Sequence, residues 1–189
     1  MKSTCRSCRS CRSPKHDPPK QMIIAPYPNS YSLKRCWPWQ SAHSTVPDLA
    51  RIAHHEGGHI VMFEWLGLTT GLSATATPAR GLAYHGVPPG AYPAGPPDET
   101  GELTAMAASA YHGGLMAELI FAGIDWRCPI HYPHESDYQR ANDMLRESFG
   151  THSSAGHAFA QRVALHVLGS RWARVQEIAD VLVRLGSWP

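Results

Sequence analysis

The sequence predicts a mainly α domain that carries a small β-hairpin or edge-strand element. Three observations lead there. Four or five helical stretches are expected between residues 48 and 186, three of them marked by apolar side chains at helical spacing. One short stretch between the first two of them alternates small and polar residues around a Pro/Gly turn. And 189 residues is the length of one domain with a tail attached.

The tail comes first. Residues 1–49 hold 8 Lys/Arg against 2 Asp/Glu, whereas residues 50–189 hold 9 Arg against 13 Asp/Glu, so a basic segment precedes a mildly acidic domain. That asymmetry argues against a nucleic-acid surface on the domain. Within the tail, Cys5-Arg6-Ser7, Cys8-Arg9-Ser10 and Cys11-Arg12-Ser13 form a threefold tripeptide repeat. Three cysteines so spaced, with Cys36 as a distant fourth, lack the paired spacing of a zinc ribbon, and Arg/Ser/Pro-rich sequence follows them. Disorder over 1–47 is the expectation. Cys128 stands alone in the domain, so a reducing, cytoplasmic setting is expected rather than a disulfide framework. There is no apolar run of 18 residues to cross a membrane and no Gly-x-x-x-x-Gly-Lys-Ser/Thr to bind nucleotide phosphates.

The domain opens at Pro47-Asp48, where Asp48 is the expected N-cap of a helix of about 18 residues. Leu49, Ile52, Ala53, Ile60 and Phe63 supply its apolar face, and Gly67 its stop. Gly71–Thr77 and Leu82–Val87, joined across Pro78-Ala79-Arg80-Gly81, read as a hairpin or edge-strand pair. Residues 88–97, with five prolines, must be a loop. A second helix is expected over Ala105–Phe121, ending near Gly123, and then an irregular stretch through Pro129 and Pro133. Ser136-Asp137-Tyr138-Gln139 has the form of a capping box opening a third helix to about Phe149. A fourth runs from about Ser154 to Leu168, with Phe159, Val163 and Val167 at helical spacing. The fifth spans Arg171–Leu185, with Val175, Ile178 and Leu182.

The first helix carries the chemistry. His55-Glu56-Gly57-Gly58-His59 is His-Glu-x-x-His, and residues i and i+4 of a helix share one face, so both imidazoles can address one metal ion. Glu56 stands beside them as a candidate general base. Two adjacent glycines each weaken a helix by up to about 1 kcal/mol relative to Ala; close packing against that turn is the reason to expect them. Two histidines need a third protein ligand, and spacing alone leaves His112, Glu118, His131, His134, Glu135 and Asp137 open. His54 should point away from the metal.

Four blocks in order resemble the peptidase domain of the FtsH family of membrane-anchored, ATP-dependent zinc metalloproteases. That family has His-Glu-Ala-Gly-His, a Pro-Arg-Gly-x-Ala-x-Gly-Tyr hairpin, Gly-Gly-x-x-Ala-Glu-Glu, and a Ser-Asn-Asp helix start. This chain has His55 to His59, Pro78-Ala79-Arg80-Gly81-Leu82-Ala83-Tyr84, Gly113-Gly114-Leu115-Met116-Ala117-Glu118, and Glu135-Ser136-Asp137 followed by Gln139-Arg140-Ala141. The resemblance covers residues 48–186 and implies a zincin-like fold. It implies Zn²⁺ held by His55, His59 and Asp137, with Glu56 as general base and Glu118 as a partner behind a ligand histidine. Substrate would lie along Leu82, Ala83 and Tyr84. The chain departs from the family in having Gly57 for Ala, Leu119 for the second Glu, no transmembrane segment and no ATPase module.

The implied activity is a zinc endopeptidase that works without its own ATPase on unfolded or flexible polypeptides. Without a motor it would act alone, as a homo-oligomer, or beside a separate ATPase. Two alternatives stand next to it: a dedicated regulatory protease with one partner substrate, and a non-catalytic adaptor that binds unfolded segments or a full-length protease. Glu56 argues against the adaptor, since a binding module has no use for a base beside the metal.

Overall fold

The helix that carries the motif, α1 (Leu49–Trp65), is the one around which the rest is arranged. The computed structural model describes residues 49–86, 101–132, 135–150 and 153–189, together with the backbone of three strands nearer the N-terminus. From α1, Ile52, Ala53, Ile60, Val61, Met62 and Phe63 are all buried, so its apolar positions cover more than one face. A helix with apolar residues on several sides is enclosed by neighbours. Here they are α2 (Glu102–Ala122), α5 (Trp172–Leu185), and strands β4 (Ser73–Ala76) and β5 (Gly81–Tyr84). Gly67 takes φ 78° just past the end of α1. The expected cap Asp48 lies outside the described residues.

The glycine pair explains the closeness of this packing. A Cβ on Gly58 would stand 2.5 Å from the Gly113 carbonyl oxygen and 2.6 Å from Ala117 Cβ, both on α2. A Cβ on Gly57 would stand 3.1 Å from the Val175 carbonyl oxygen on α5. Small residues on both sides thus let the backbones of α1 and α2 approach each other directly beneath the two histidines. Close packing against α2 and α5, rather than helix propensity, thus accounts for both glycines.

The hairpin forms as β4 and β5, antiparallel, with Ser73 opposite Tyr84 and Ala76 opposite Gly81. It is shorter than the sequence suggests, and Val87 and residues 88–97 lie outside the described residues. A strand absent from the sequence reading, β7 (Ser187–Trp188), pairs with the other side of β4, giving the order β5-β4-β7. Two residues at a chain end show no period-2 pattern to read. They are delivered by Gly186, which ends α5 at φ 73° and accepts a bond from the Ala76 N–H. β5 is therefore an edge strand of this sheet.

Three further strands, β1 (Met22–Ile24), β2 (Tyr31–Cys36) and β3 (Trp39–Ser44), fall inside the stretch for which composition predicts disorder. They pair antiparallel in sequence, and β3 runs parallel to β6 (Ile130–His131) of the domain. The remainder of 1–47, including the cysteine repeat, lies outside the described residues.

The third and fourth helices are α3 (Ser136–Phe149) and α4 (Ser153–Ser170). The predicted capping box does not form: the N-cap is Glu135, in extended conformation and without a side-chain cap bond, and Ser136 is already helical. Asp137 is consequently a first-turn residue whose carboxylate is directed at the histidines rather than at its own helix. On α4, Val167 is buried and Val163 half-buried, but Phe159 is 41 % exposed, so the apolar spacing there overstates the buried face. Gln161 of α4 is fully buried and pins the approach to α3. Its carbonyl accepts from Trp126 Nε1 (2.9 Å) and Ile130 N (2.8 Å), while its amide donates to Ile130 O (2.9 Å). Burying side chains such as Ile60, Met62, Leu115, Met116, Leu119, Ile178 and Leu182 stabilises the assembly by roughly 1.5–3 kcal/mol each. Among the described residues, no helix is long and apolar enough to cross a membrane.

Candidate metal centre

Arg51, His55 and His59 form one row along α1, spaced four apart. Opposite the last two lies Asp137, brought in by the first turn of α3. His55 Nε2 and His59 Nε2 are 3.1 Å apart, and Asp137 Oδ2 is 3.4 Å from the first and 3.1 Å from the second. Donors at about 2.0–2.1 Å from one tetrahedral ion are separated by about 3.3–3.4 Å. The triangle therefore has nearly the dimensions of one face of a tetrahedral site.

The outer hydrogen bonds fix which nitrogens face inward. His59 Nδ1 lies 2.8 Å from the Ala110 carbonyl oxygen, which can only accept, so this nitrogen carries the proton. His55 Nδ1 likewise donates to Glu118 Oε1. Both Nε2 lone pairs and a carboxylate oxygen then converge on one point, an arrangement that calls for a cation. The balance of burial and charge at the three side chains makes the same demand. Burial lowers His55, yet the Asp137 and Glu118 carboxylates outweigh it and raise its pKa well above the ordinary value. Burial also lowers His59, and Asp137 again prevails, raising it. Asp137, pushed up by burial, is held far below the usual carboxylate range by the two imidazoles. Among the described residues, His55, His59 and Asp137 are the group able to hold a metal ion.

Glu118 is where a partner to a ligand histidine is expected, with its side chain wholly buried. Its second oxygen accepts from Arg51 Nη1 at 2.9 Å, a contact the sequence reading missed. The available signal was Arg51's position four residues before His55. Glu56 is buried on the cleft side of α1, and burial raises its pKa, with the Asp137 and Glu118 charges adding and the two imidazoles opposing. Gly81 makes room for it, because a Cβ there would overlap the Glu56 carboxylate and Ile52.

Two cavities flank Glu56. One, of about 340 Å³, is lined by Arg51, His55, Arg80, Glu118, Glu135 and Asp137 among others. The other, of about 110 Å³, runs past His59, Phe63, Leu82, Ala83, Tyr111 and Arg140. Leu82 and Tyr84 on β5 are 63 % and 59 % exposed, large side chains beside the site on a strand edge that is unpaired among the described residues.

The remaining candidates are placed elsewhere. His54 hydrogen-bonds the Ala50 carbonyl and stacks on Phe121, away from the centre as expected. Glu135 lines the cleft without joining the converging donors. His131 Nδ1 meets Tyr138 OH at 2.9 Å, and His134 lies outside the described residues. His112 is buried in a relay that sequence spacing could not reveal. Tyr132 OH donates to its Nδ1 (2.8 Å), its Nε2–H donates to His157 Nδ1 (3.0 Å), and His157 in turn faces Asn142 Oδ1. Burial drives His112 well below its ordinary pKa and His157 down to about 4, so both stay neutral, while burial raises Tyr132. Tyr138 stacks on His157 at 4.5 Å, which ties the residue after Asp137 to α4.

Comparison of the chain with protein-family models, with curated proteins and with solved structures finds no match. The chemistry of the site therefore rests on its own geometry.

Proposed function

We propose that this chain is a zinc-dependent endopeptidase that hydrolyses unfolded or flexible polypeptides without a need for ATP. One observation carries the reading: three inward-facing acceptors at tetrahedral spacing, with a buried carboxylate next to them and, alongside, a strand edge that is unpaired among the described residues. Two imidazoles and one carboxylate suit Zn²⁺ and leave a position open. When bound there, zinc supplies Lewis acidity, polarising a carbonyl and making a water acidic near neutral pH. The ordered resemblance to FtsH-type peptidase domains supports the same assignment.

The chain's own residues have separable parts in this reading. A substrate segment adds as a strand to β5, with its backbone bonded to the free edge and its side chains against Leu82 and Tyr84. Glu56, in its ionised form, takes the proton of the attacking water and delivers it to the departing amine nitrogen. Its raised pKa brings it closer to the range in which a carboxyl both accepts and returns a proton. Glu118 and the Ala110 carbonyl keep both imidazoles oriented. Only segments able to become extended reach the edge, so folded proteins should resist.

The test is cleavage of casein by the zinc-loaded chain without ATP, beside Glu56→Gln. Glutamine keeps the shape and cannot take a proton, so the variant should retain zinc and lose about 10²- to 10⁴-fold in rate. Equal rates for the two proteins, or no cleavage of any unfolded polypeptide by a zinc-loaded wild type, refute the proposal.

A further inference from the structure

We infer that Arg51 is a positioning residue for the metal centre, acting through Glu118 to hold the His55 imidazole in its ligating orientation. This rests on the metal-centre reading above. Arg51 is itself buried, its side chain 9 % exposed, and it faces a Glu118 side chain that is 0 % exposed. The two carboxylate oxygens are divided between two neighbours on one row of α1: Oε2 accepts from Arg51 Nη1 at 2.9 Å, and Oε1 accepts from His55 Nδ1. A continuous line results, from guanidinium to carboxylate to imidazole to the convergence point of the donors.

Each link has a physical consequence. A glutamate has three rotatable side-chain bonds, and one hydrogen bond to a histidine does not fix its carboxylate plane; a second bond to the other oxygen does. Arg51 also places a full positive charge against a carboxylate lying between α1 and α2, and a buried carboxylate without such a partner is strongly disfavoured. An uncharged residue at 51 lets Glu118 turn toward the water of the cleft, whose wall both residues share. His55 Nδ1 then loses its acceptor, and its Nε2 is no longer aimed. Partners of this kind, one step behind a metal ligand, typically contribute 10- to 100-fold in affinity. The guanidinium cannot be fully replaced by an ammonium, which keeps the charge but not the planar fork.

The experiment measures the Zn²⁺ dissociation constant by chelator competition, with the absorption spectrum of the cobalt-substituted protein as a reading of His55 ligation. Arg51→Met should bind zinc about 10- to 100-fold more weakly, with an altered cobalt spectrum. Arg51→Lys should recover part of the loss. Because Arg51 acts through Glu118, the double variant Arg51→Met/Glu118→Gln should bind no more weakly than Glu118→Gln alone. Wild-type affinity in Arg51→Met, while His59→Ala has lost zinc, overturns the role of Arg51 and leaves the metal centre standing. If Arg51→Met does not fold, the double variant compared with Glu118→Gln decides: equal affinities support the inference, and about a tenfold further loss overturns it. A wild type that binds no zinc overturns the metal centre and this inference with it.

Discussion

Gly114→Ala puts the metal centre under the sharpest test, because the added methyl lands on a ligand. A Cβ at 114 would stand 2.5 Å from His55 Cε1 and nearer still to Nε2 and Cδ2. Carbon atoms at rest are about 3.5 Å apart or more, so the ring must retreat by about 1 Å. Metal–ligand distances tolerate only about 0.2 Å, and retreat also breaks the Nδ1 bond to Glu118. The variant should therefore lose about 100-fold or more in zinc affinity. Without metal the domain should still fold, since up to about 1 kcal/mol gained in helix propensity offsets part of an overpacking cost of about 1–3 kcal/mol. The assay is the thermal midpoint with and without zinc. At free zinc about 1,000-fold above the wild-type dissociation constant, binding stabilises the wild type by about 4 kcal/mol, or about 8–16 °C. A 100-fold weaker variant gains about 1.4 kcal/mol, or about 3–6 °C. A full wild-type shift in Gly114→Ala would mean that His55 does not hold the ion as placed here.

Two further outcomes bear on the packing and on the buried histidines. Gly58→Ala, whose Cβ meets rigid backbone at 2.5 Å, should destabilise by about 1–3 kcal/mol, whereas Gly169→Ala, with nothing within 4 Å, should stabilise by about 0.5 kcal/mol; urea midpoints showing the reverse order would refute the close α1–α2 approach. His157 has its pKa lowered from 6.5 to about 4 by burial, with His131 adding, so between those values the unfolded chain binds more protons. Stability should accordingly fall as pH drops from about 6.5 toward 4, and His157→Gln should flatten that part of the urea-midpoint profile; an unchanged profile would mean that His157 is not held neutral in the fold.

Much of the helical frame is legible locally. The extents of α1, α4 and α5 follow closely from apolar positions three and four apart, with Gly67 as the stop of the first, all of them short-range signals. The hairpin is legible for the same reason, from its turn residues. What local pattern misjudges is anything set by partners distant in the chain. Phe159 has the spacing of a core residue and is exposed, and the end-strand β7 exists only because β4 has an edge to offer. The capping box fails because α3 begins one residue earlier, with Glu135 as N-cap, which leaves Asp137 in the first turn to meet His55 and His59 across 82 and 78 residues of sequence.

The division at the site is equally physical. Sequence by itself determined that His55 and His59 share one helix face with Glu56 beside them, because the α-helix has a fixed 3.6-residue turn. It also determined that Gly57 and Gly58 had to be relieved by packing, since their intrinsic cost is local. Spacing alone could not choose among six third-ligand candidates, and the resemblance that singled out Asp137 said nothing of Arg51. Tertiary structure decided which donors converge, sending Asp137 to the histidines, Glu118 behind His55 and His112 into a buried relay. Those choices depend on how closely α1, α2 and α3 approach, and that distance is set by side-chain volumes across the contact, a quantity no single stretch of sequence contains.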